Sequence, residues 1–151
     1  QVLNTILGGY FGSRLMANIR EDKGYTYGIG SALASFHDTG VFLIATEVGA
    51  EVCKDALKEI YKEVELLRSE KVSDEELSLV KNYMLGSFLR NSDGPFAMSD
   101  RFKTIHFSGL DYSYYEKYIQ KVNSITADEI LELCKRYLDT MSFTEIVAGN
   151  Y

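Results

Sequence analysis

An arginine and two tyrosines near the start of the sequence have side chains that could bind and polarise a carbonyl group. Arg20 falls at the predicted end of a short helix, and Tyr25 and Tyr27 follow a turn at Lys23-Gly24. A guanidinium binds carbonyl or carboxylate oxygens, and a phenol can donate a hydrogen bond to an oxygen that gains negative charge. An arginine at a helix C-terminus is also favoured by the helix dipole alone. From the residue types alone, this simpler structural explanation is preferred.

The sequence does not predict a metal site within the chain. Catalytic zinc takes about three protein ligands from His, Cys, Asp or Glu that converge on one point. The histidines His37 and His106 fall far apart in sequence, and Glu47 and Glu51 have no histidine beside them. Neither H-E-x-x-H nor H-x-x-E-H occurs in the sequence. We therefore predict no metal-binding residue and no cofactor bound by this chain.

The tripeptide Asp38-Thr39-Gly40 has the D-T-G pattern of aspartic proteases, in which two aspartates share one proton. Only one copy is present, so a homodimer would have to supply the second aspartate. The same residues form an ordinary turn, which the strand-like segments on either side independently require. The turn is the preferred interpretation, and a homodimeric aspartic protease using Asp38 is a remote alternative.

Composition and charge indicate a folded domain with no nucleic-acid partner and no membrane span. The 151 residues are 46% hydrophobic and 25% charged, and 16 basic against 22 acidic residues give a net charge of −6. An acidic chain without a basic stripe is repelled by phosphate backbones, and no apolar run approaches the roughly 20 residues that span a bilayer. Cys53 and Cys134 fall on apolar helix faces, which is typical of small buried thiols. The sequence does not indicate a cellular compartment.

Periodicity and capping signals predict the helices that would position Arg20 and Tyr27. A first helix ends at Gly8-Gly9, where we expect glycine to be needed for a left-handed backbone, and a second spans residues 13–20 with Ser13 as its N-cap. Capping boxes begin two later helices at Ser73 and Thr126. The remaining helices are predicted at residues 51–68, 95–108 and 112–122.

The strand signals predict an antiparallel sheet and an α+β fold. Residues 26–36 and 41–48 form a hairpin, and residues 143–147 form a third strand. The unbroken apolar series from Val41 to Ile44 indicates a strand covered on both faces, whereas small residues from Gly28 to Ala34 indicate a close approach to the first strand. We expect a two-layer fold with helices packed mainly on one face of the sheet. Because the first helix has no capping residue before it, we expect the chain to be cut from a longer protein. A sheet of three strands is thin for so many helices, so we expect a single domain over residues 1–151 that lacks its opening strands.

The segment from Leu7 to Tyr27 resembles a motif of the pitrilysin/insulinase-type zinc peptidases, the family that includes the mitochondrial processing peptidases. It contains Leu7-Gly8-Gly9, Ser13-Arg14-Leu15 and Arg20-Glu21 followed by Gly24 and Tyr27, which match L-G-G…S-R-L…R-E-x-x-G-x-x-Y. The chain is similar to the C-terminal domain of these enzymes, which lacks the zinc motif. The order of the later elements also matches, although only this first segment is specific.

The resemblance implies that the chain is the non-catalytic, substrate-binding half of a zinc-dependent metalloendopeptidase. In this family two similar halves enclose a chamber, and the other half holds zinc through an inverted H-x-x-E-H motif. By position, Tyr27 matches the tyrosine that hydrogen-bonds the scissile carbonyl oxygen, and Arg20 matches the arginine that orients the peptide backbone. The implied partners are a peptide substrate and a zinc-bearing half, fused or separate. The fragment alone is expected to be inactive.

At two points the sequence departs from the pattern of this family. The sequence lacks the long glycine-rich substrate loop of processing peptidases, and Tyr25 occupies a position that is usually apolar in the family, so it ranks below Tyr27. Domains of this kind also occur as structural subunits of respiratory complexes. A catalytically inactive structural or assembly domain is therefore the alternative function.

Overall fold

The computed structural model describes residues 1–36 and 38–149. In this part of the chain there are six α-helices and one β-hairpin, and a π-helix precedes the hairpin. The strands are β1 (Ile29–Ser35) and β2 (Gly40–Thr46), and the π-helix is Met16–Asp22. Short 3₁₀ helices occur at Ala50–Val52 and Thr140–Ser142. The α-helices are α1 (Val2–Leu7), α2 (Cys53–Ser69), α3 (Asp74–Arg90), α4 (Pro95–Phe107), α5 (Ser113–Ser124) and α6 (Ala127–Tyr137).

The predicted hairpin is confirmed, but its second strand is covered on only one face by the described residues. The strands β1 and β2 pair antiparallel, with Ile29 opposite Thr46. Phe42 and Ile44 point towards the core, whereas Val41 and Leu43 alternate with them and are 47% and 42% exposed. The prediction of two covered faces for β2 was therefore wrong here, because an apolar series cannot by itself show how many layers surround a strand.

The third strand predicted at residues 143–147 is not formed. A strand requires a neighbouring strand to accept its main-chain hydrogen bonds, and this segment has none in the described structure. Phe143 instead packs its ring near those of Phe42 and Tyr61, with centroids 6.3 and 6.1 Å away. Ile146 is 90% exposed. The α+β class is confirmed with a two-stranded antiparallel sheet rather than three strands.

The core lies between the inner face of the hairpin and the helices. Ala56, Ile60, Val64 and Leu67 of α2 are buried, and α2 packs on α6 while α1 packs on α3. In contrast, α4 buries only Ile105 and leaves Phe96 and Phe107 more than 80% exposed. The fully buried large apolar side chains include Ile6, Leu7, Leu15, Ile19, Val64, Leu67, Val80, Ile105, Ile130 and Leu138.

The two predicted capping boxes have different outcomes. At α6 the box is complete, because Thr126 accepts a hydrogen bond from the Glu129 main chain and the Glu129 carboxylate accepts one from the main chain of Thr126. At α3, Ser73 accepts a hydrogen bond from the Glu76 main chain. The Glu76 carboxylate does not return to Ser73, however, and accepts two hydrogen bonds of 2.8 and 2.7 Å from Arg14. A bidentate, half-buried pair with an arginine thus replaces the local contact.

Gly8 brings α1 into direct contact with β1. The Ser31 N–H donates to the Gly8 oxygen over 3.0 Å, and a Cβ atom on Gly8 would lie 2.6 Å from the Ser31 nitrogen. This confirms the predicted close approach to the first strand. The reason given for Gly8 from the sequence was wrong, because its φ is −156°, outside the left-handed region. Glycine is required there for lack of space.

We expect Gly8→Ala to lower the free energy of unfolding by about 1–3 kcal/mol, because the added methyl group must displace strand backbone. Urea unfolding of the two forms measures the difference. Gly28→Ala is the matched control, since a Cβ there meets no atom within 4 Å. Equal stabilities of the Gly8 and Gly28 variants would contradict this account of the contact.

Cys134 is a buried thiol, as predicted, whereas Cys53 is only half-buried. Burial raises the pKa of the Cys134 thiol to about 11. In the unfolded chain a cysteine ionises near pH 8.5, so the unfolded state releases this proton first as the pH rises. The stabilising contribution of the neutral thiol is therefore complete below about pH 8.5 and declines towards pH 11.

We expect Cys134→Ala to reduce the loss of stability between about pH 8.5 and pH 11, because alanine cannot ionise. The measurement is the free energy of unfolding as a function of pH. Cys53→Ala serves as the control and should retain the alkaline decline. An identical decline in both variants would show that Cys134 does not cause it.

Candidate functional site

The segment between α1 and β1 contains the candidate residues, and its first part is a fixed turn. The Ser13 N–H donates to the Tyr10 oxygen over 3.1 Å, and the Tyr10 ring packs near that of Tyr83 with centroids 4.6 Å apart. The Ser13 hydroxyl is buried and has no hydrogen-bond partner in the described structure, so Ser13 is not the side-chain cap that was predicted. The turn presents Phe11, whose side chain is 63% exposed.

Arg20 lies on the π-helix, two residues before its end. The Lys23 N–H donates to the Asn18 oxygen over 2.9 Å, five residues back, which is the hydrogen bond that defines a π-helix. The helix therefore extends to Asp22, beyond the predicted end at Arg20. The Arg20 side chain is half-buried, and its guanidinium carbon lies 4.7 Å from the centre of the Phe11 ring.

Polar contacts fix the π-helix to α2. The Asn18 side-chain amide donates to Glu59 over 2.9 Å and to Glu63 over 2.6 Å. The hydrogen bond from Asn18 is the main cause that lowers the pKa of the Glu59 carboxyl. Because Met16 and Ile19 are buried on the same helix, its backbone is held by both apolar and polar contacts.

A short loop connects the π-helix to β1. Gly24 has a φ of +65°, in the left-handed region that favours glycine, and open space surrounds its missing side chain. The Tyr25 N–H then donates to the Ile19 oxygen over 3.0 Å. The Tyr25 ring is half-buried and packs against the core. Tyr25 therefore serves as an anchor of the loop.

Thr26 connects this loop to the end of β2. Its hydroxyl oxygen lies 2.6 Å from the main-chain oxygen of Glu47 and accepts a hydrogen bond from the Gly28 N–H over 3.1 Å. The Thr46 hydroxyl is 3.0 Å away. The residue next to Thr26 is Tyr27, whose side chain is 101% exposed. Fixed main chain on either side thus presents Tyr27 to solvent.

The arrangement offers two kinds of hydrogen-bond donor at the surface. The phenol of Tyr27 has no hydrogen-bond partner within residues 1–36 and 38–149, and the Arg20 guanidinium has no acidic partner in this part of the chain. Arg20 and Tyr27 both lie outside the buried core, at the two ends of a segment of 8 residues. Their convergence on a common ligand remains a prediction.

The other sequence candidates do not come together. Within the described part of the chain, no three His, Cys, Asp or Glu side chains are grouped so that they could hold a metal ion. His106 lies on α4 with its ring stacked 5.4 Å from that of Phe102, and His37 lies outside the described residues. Asp38 lies in the hairpin connection, as the turn interpretation predicts. None of the described helices is both long and apolar enough to cross a membrane.

Sequence reasoning did not identify Phe11 or Glu76 as relevant to the site. Phe11 stacks on Arg20 from nine positions earlier, and Glu76 pairs with Arg14 across 62 residues. Helix and strand periodicities relate residues only a few positions apart, so they do not predict contacts at such separations. The one available signal for Phe11 was the aromatic pair Tyr10-Phe11 between Gly9 and Gly12.

Comparison with known proteins identifies the family to which this chain belongs. A family profile described as the peptidase M16 inactive domain matches residues 1–84, more than half of the 151 residues. The chain therefore belongs to this family, which confirms the resemblance to the non-zinc domain of pitrilysin/insulinase-type metallopeptidases.

The chain is similar to longer proteins that are named as zinc proteases. An uncharacterized zinc protease of Rickettsia felis is 29% identical over 159 residues, which cover 99% of this chain and 36% of that protein. The uncharacterized zinc protease YmxG of Bacillus subtilis is 34% identical over 88 residues, which cover 58% of this chain and 22% of YmxG. The crystal structure of a peptidase M16 inactive domain from Pseudomonas fluorescens matches with a TM-score of 0.82 and 26% identity, over 91% of this chain and 33% of that one. The chain spans little more than a third of these proteins at most.

We expect Thr26→Val to loosen the loop that presents Tyr27, because valine keeps the shape of threonine but cannot hydrogen-bond. The Gly28 amide should then exchange its hydrogen about 5-fold faster or more, since it loses its acceptor. Hydrogen–deuterium exchange resolved at Gly28 measures this. Thr39→Val, in the hairpin connection, is the control. Unchanged exchange at Gly28 would show that Thr26 does not fix the loop.

Proposed function

We propose that this domain is the non-catalytic, substrate-binding half of a zinc-dependent metalloendopeptidase. Membership of the inactive-domain family supports the non-catalytic role, and the longer relatives named as zinc proteases support a parent enzyme with a second half. The described residues do not fit a zinc ion, because they contain no group of three ligating side chains. The proposal therefore assigns the metal, which would polarise the peptide carbonyl, to another part of the parent protein.

The exposed phenol of Tyr27 is the observation that carries the proposal. A tyrosine in this chain is usually packed against other side chains, yet Tyr27 is 101% exposed while Thr26 fixes the main chain beside it. Such a phenol is free to donate a hydrogen bond to a substrate. We assign it to the scissile carbonyl oxygen, because a preorganised donor stabilises an oxygen that becomes negatively charged.

Arg20 has the complementary role of holding the peptide backbone. Its planar guanidinium carries five N–H donors and can bind a carbonyl oxygen while its face lies against a ring. The π-helix that carries Arg20 is fixed by Asn18 and by buried Ile19, so the arginine is presented from rigid main chain. Correct orientation of the peptide lowers the entropic part of the activation barrier.

We expect Tyr27→Phe in the full-length parent enzyme to lower kcat by about 10²-fold, the typical cost of losing one oxyanion donor. The substrate is the best-cleaved member of an internally quenched peptide library. Tyr25→Phe is the matched control two residues away, and it should leave kcat unchanged because the Tyr25 ring packs on the core.

An unchanged kcat in Tyr27→Phe would remove Tyr27 from the mechanism. Equal losses in Tyr27→Phe and Tyr25→Phe would indicate a general effect on the loop and not a hydrogen bond to substrate. If the parent protein cleaves no member of the library, the structural or assembly function of this fold is the better account.

A further inference from the structure

Phe11 is exposed to an extent that its own chemistry does not explain. Its side chain is 63% exposed, although burial of a phenylalanine side chain contributes about 1.5–3 kcal/mol. The Phe11 ring contacts Arg20, whose guanidinium carbon lies 4.7 Å from the ring centre. This distance is within the roughly 6 Å at which a cation is attracted to the face of an aromatic ring.

The turn that carries Phe11 is fixed on both sides. Tyr10 is half-buried against the core and packs on Tyr83. Gly12 lies so close to the Tyr10 ring that a Cβ atom would be 2.8 Å from one of its carbons. The next residue, Ser13, donates its N–H to the Tyr10 oxygen. Phe11 is therefore presented from a rigid turn and does not depend on its own burial for its position.

Arg20 needs such a support because only its main chain is fixed by the helix. An arginine side chain has several rotatable bonds, and ordering them costs up to about 2 kcal/mol of conformational entropy. Within the described residues, no acidic side chain forms an ion pair with Arg20. The ring of Phe11 restricts the guanidinium without using any of its N–H donors, so all of them stay available to a ligand.

We propose that Phe11 is a positioning residue for Arg20, holding the guanidinium in the orientation in which it binds the peptide backbone. This inference rests on the proposed function of Arg20. It predicts an effect on catalysis that is transmitted through Arg20 alone, since Phe11 itself has no polar atom to offer the substrate.

The test compares variants of the full-length parent enzyme on one internally quenched peptide. Phe11→Leu and Phe11→Met keep an apolar side chain but remove the ring, and they should lower kcat/KM by about 2- to 5-fold, as expected for an exposed cation–π contact. Phe11→Tyr retains the ring face and should restore the wild-type value. Thermal unfolding midpoints should be unchanged, because Phe11 is largely exposed.

The decisive measurement is the same substitution in an Arg20→Ala background. Phe11→Leu should then have no further effect on kcat/KM, because a positioning residue cannot act once the group it positions is gone. An equal loss in both backgrounds would overturn the inference. It would also fail if Arg20→Ala lowers kcat/KM while neither non-aromatic variant does, although the role of Arg20 would survive. If Arg20→Ala itself has no effect, the proposed function of Arg20 fails and the inference fails with it.

Discussion

The contact between Gly8 and Ser31 fixes the spacing between the two segments that lead to the candidate residues. Gly8 ends α1 three residues before Phe11, and Ser31 lies on β1 four residues after Tyr27. Because no side chain separates the two main chains, the turn below Arg20 and the loop that carries Tyr27 begin from one common point. Any increase in this spacing would move one part of the site relative to the other. Close packing of this kind transmits small shifts with little loss.

The motif residues around this contact are of two kinds. Some make contacts that hold the structure together, and others are left exposed. Arg14 forms a bidentate pair with Glu76, Asn18 binds two glutamates of α2, and Tyr25 packs on the core. These side chains are engaged in contacts within the chain. Arg20 and Tyr27, in contrast, have donors with no acidic or hydrogen-bond partner in the part of the chain that the structure describes. The same short segment thus contains both the supports and the groups that are left for a ligand.

The contrast between Ser73 and Thr126 shows how tertiary contacts change a local rule. Both residues begin helices with a glutamate three positions later, and both accept the expected main-chain hydrogen bond. Only at Thr126 does the glutamate complete the box. The Glu76 carboxylate binds Arg14 instead, because two hydrogen bonds from a charged guanidinium in a half-buried site are stronger than one from a main-chain N–H at a helix end.

The sequence by itself determined most of the helices and the hairpin, and the resemblance of its motif to a known family identified the candidate residues. Helices with clear periodicity and caps, the hairpin around Asp38, and the motif containing Arg20 and Tyr27 were all predicted, because local patterns and motif spacing are properties of neighbouring residues. Only the tertiary structure decided that Gly8 is needed for space, that β2 has one open face, and that residues 143–147 form no strand. It also brought Phe11 under Arg20. These features depend on which distant segments come into contact. A pattern in the sequence does not specify the distances between such segments.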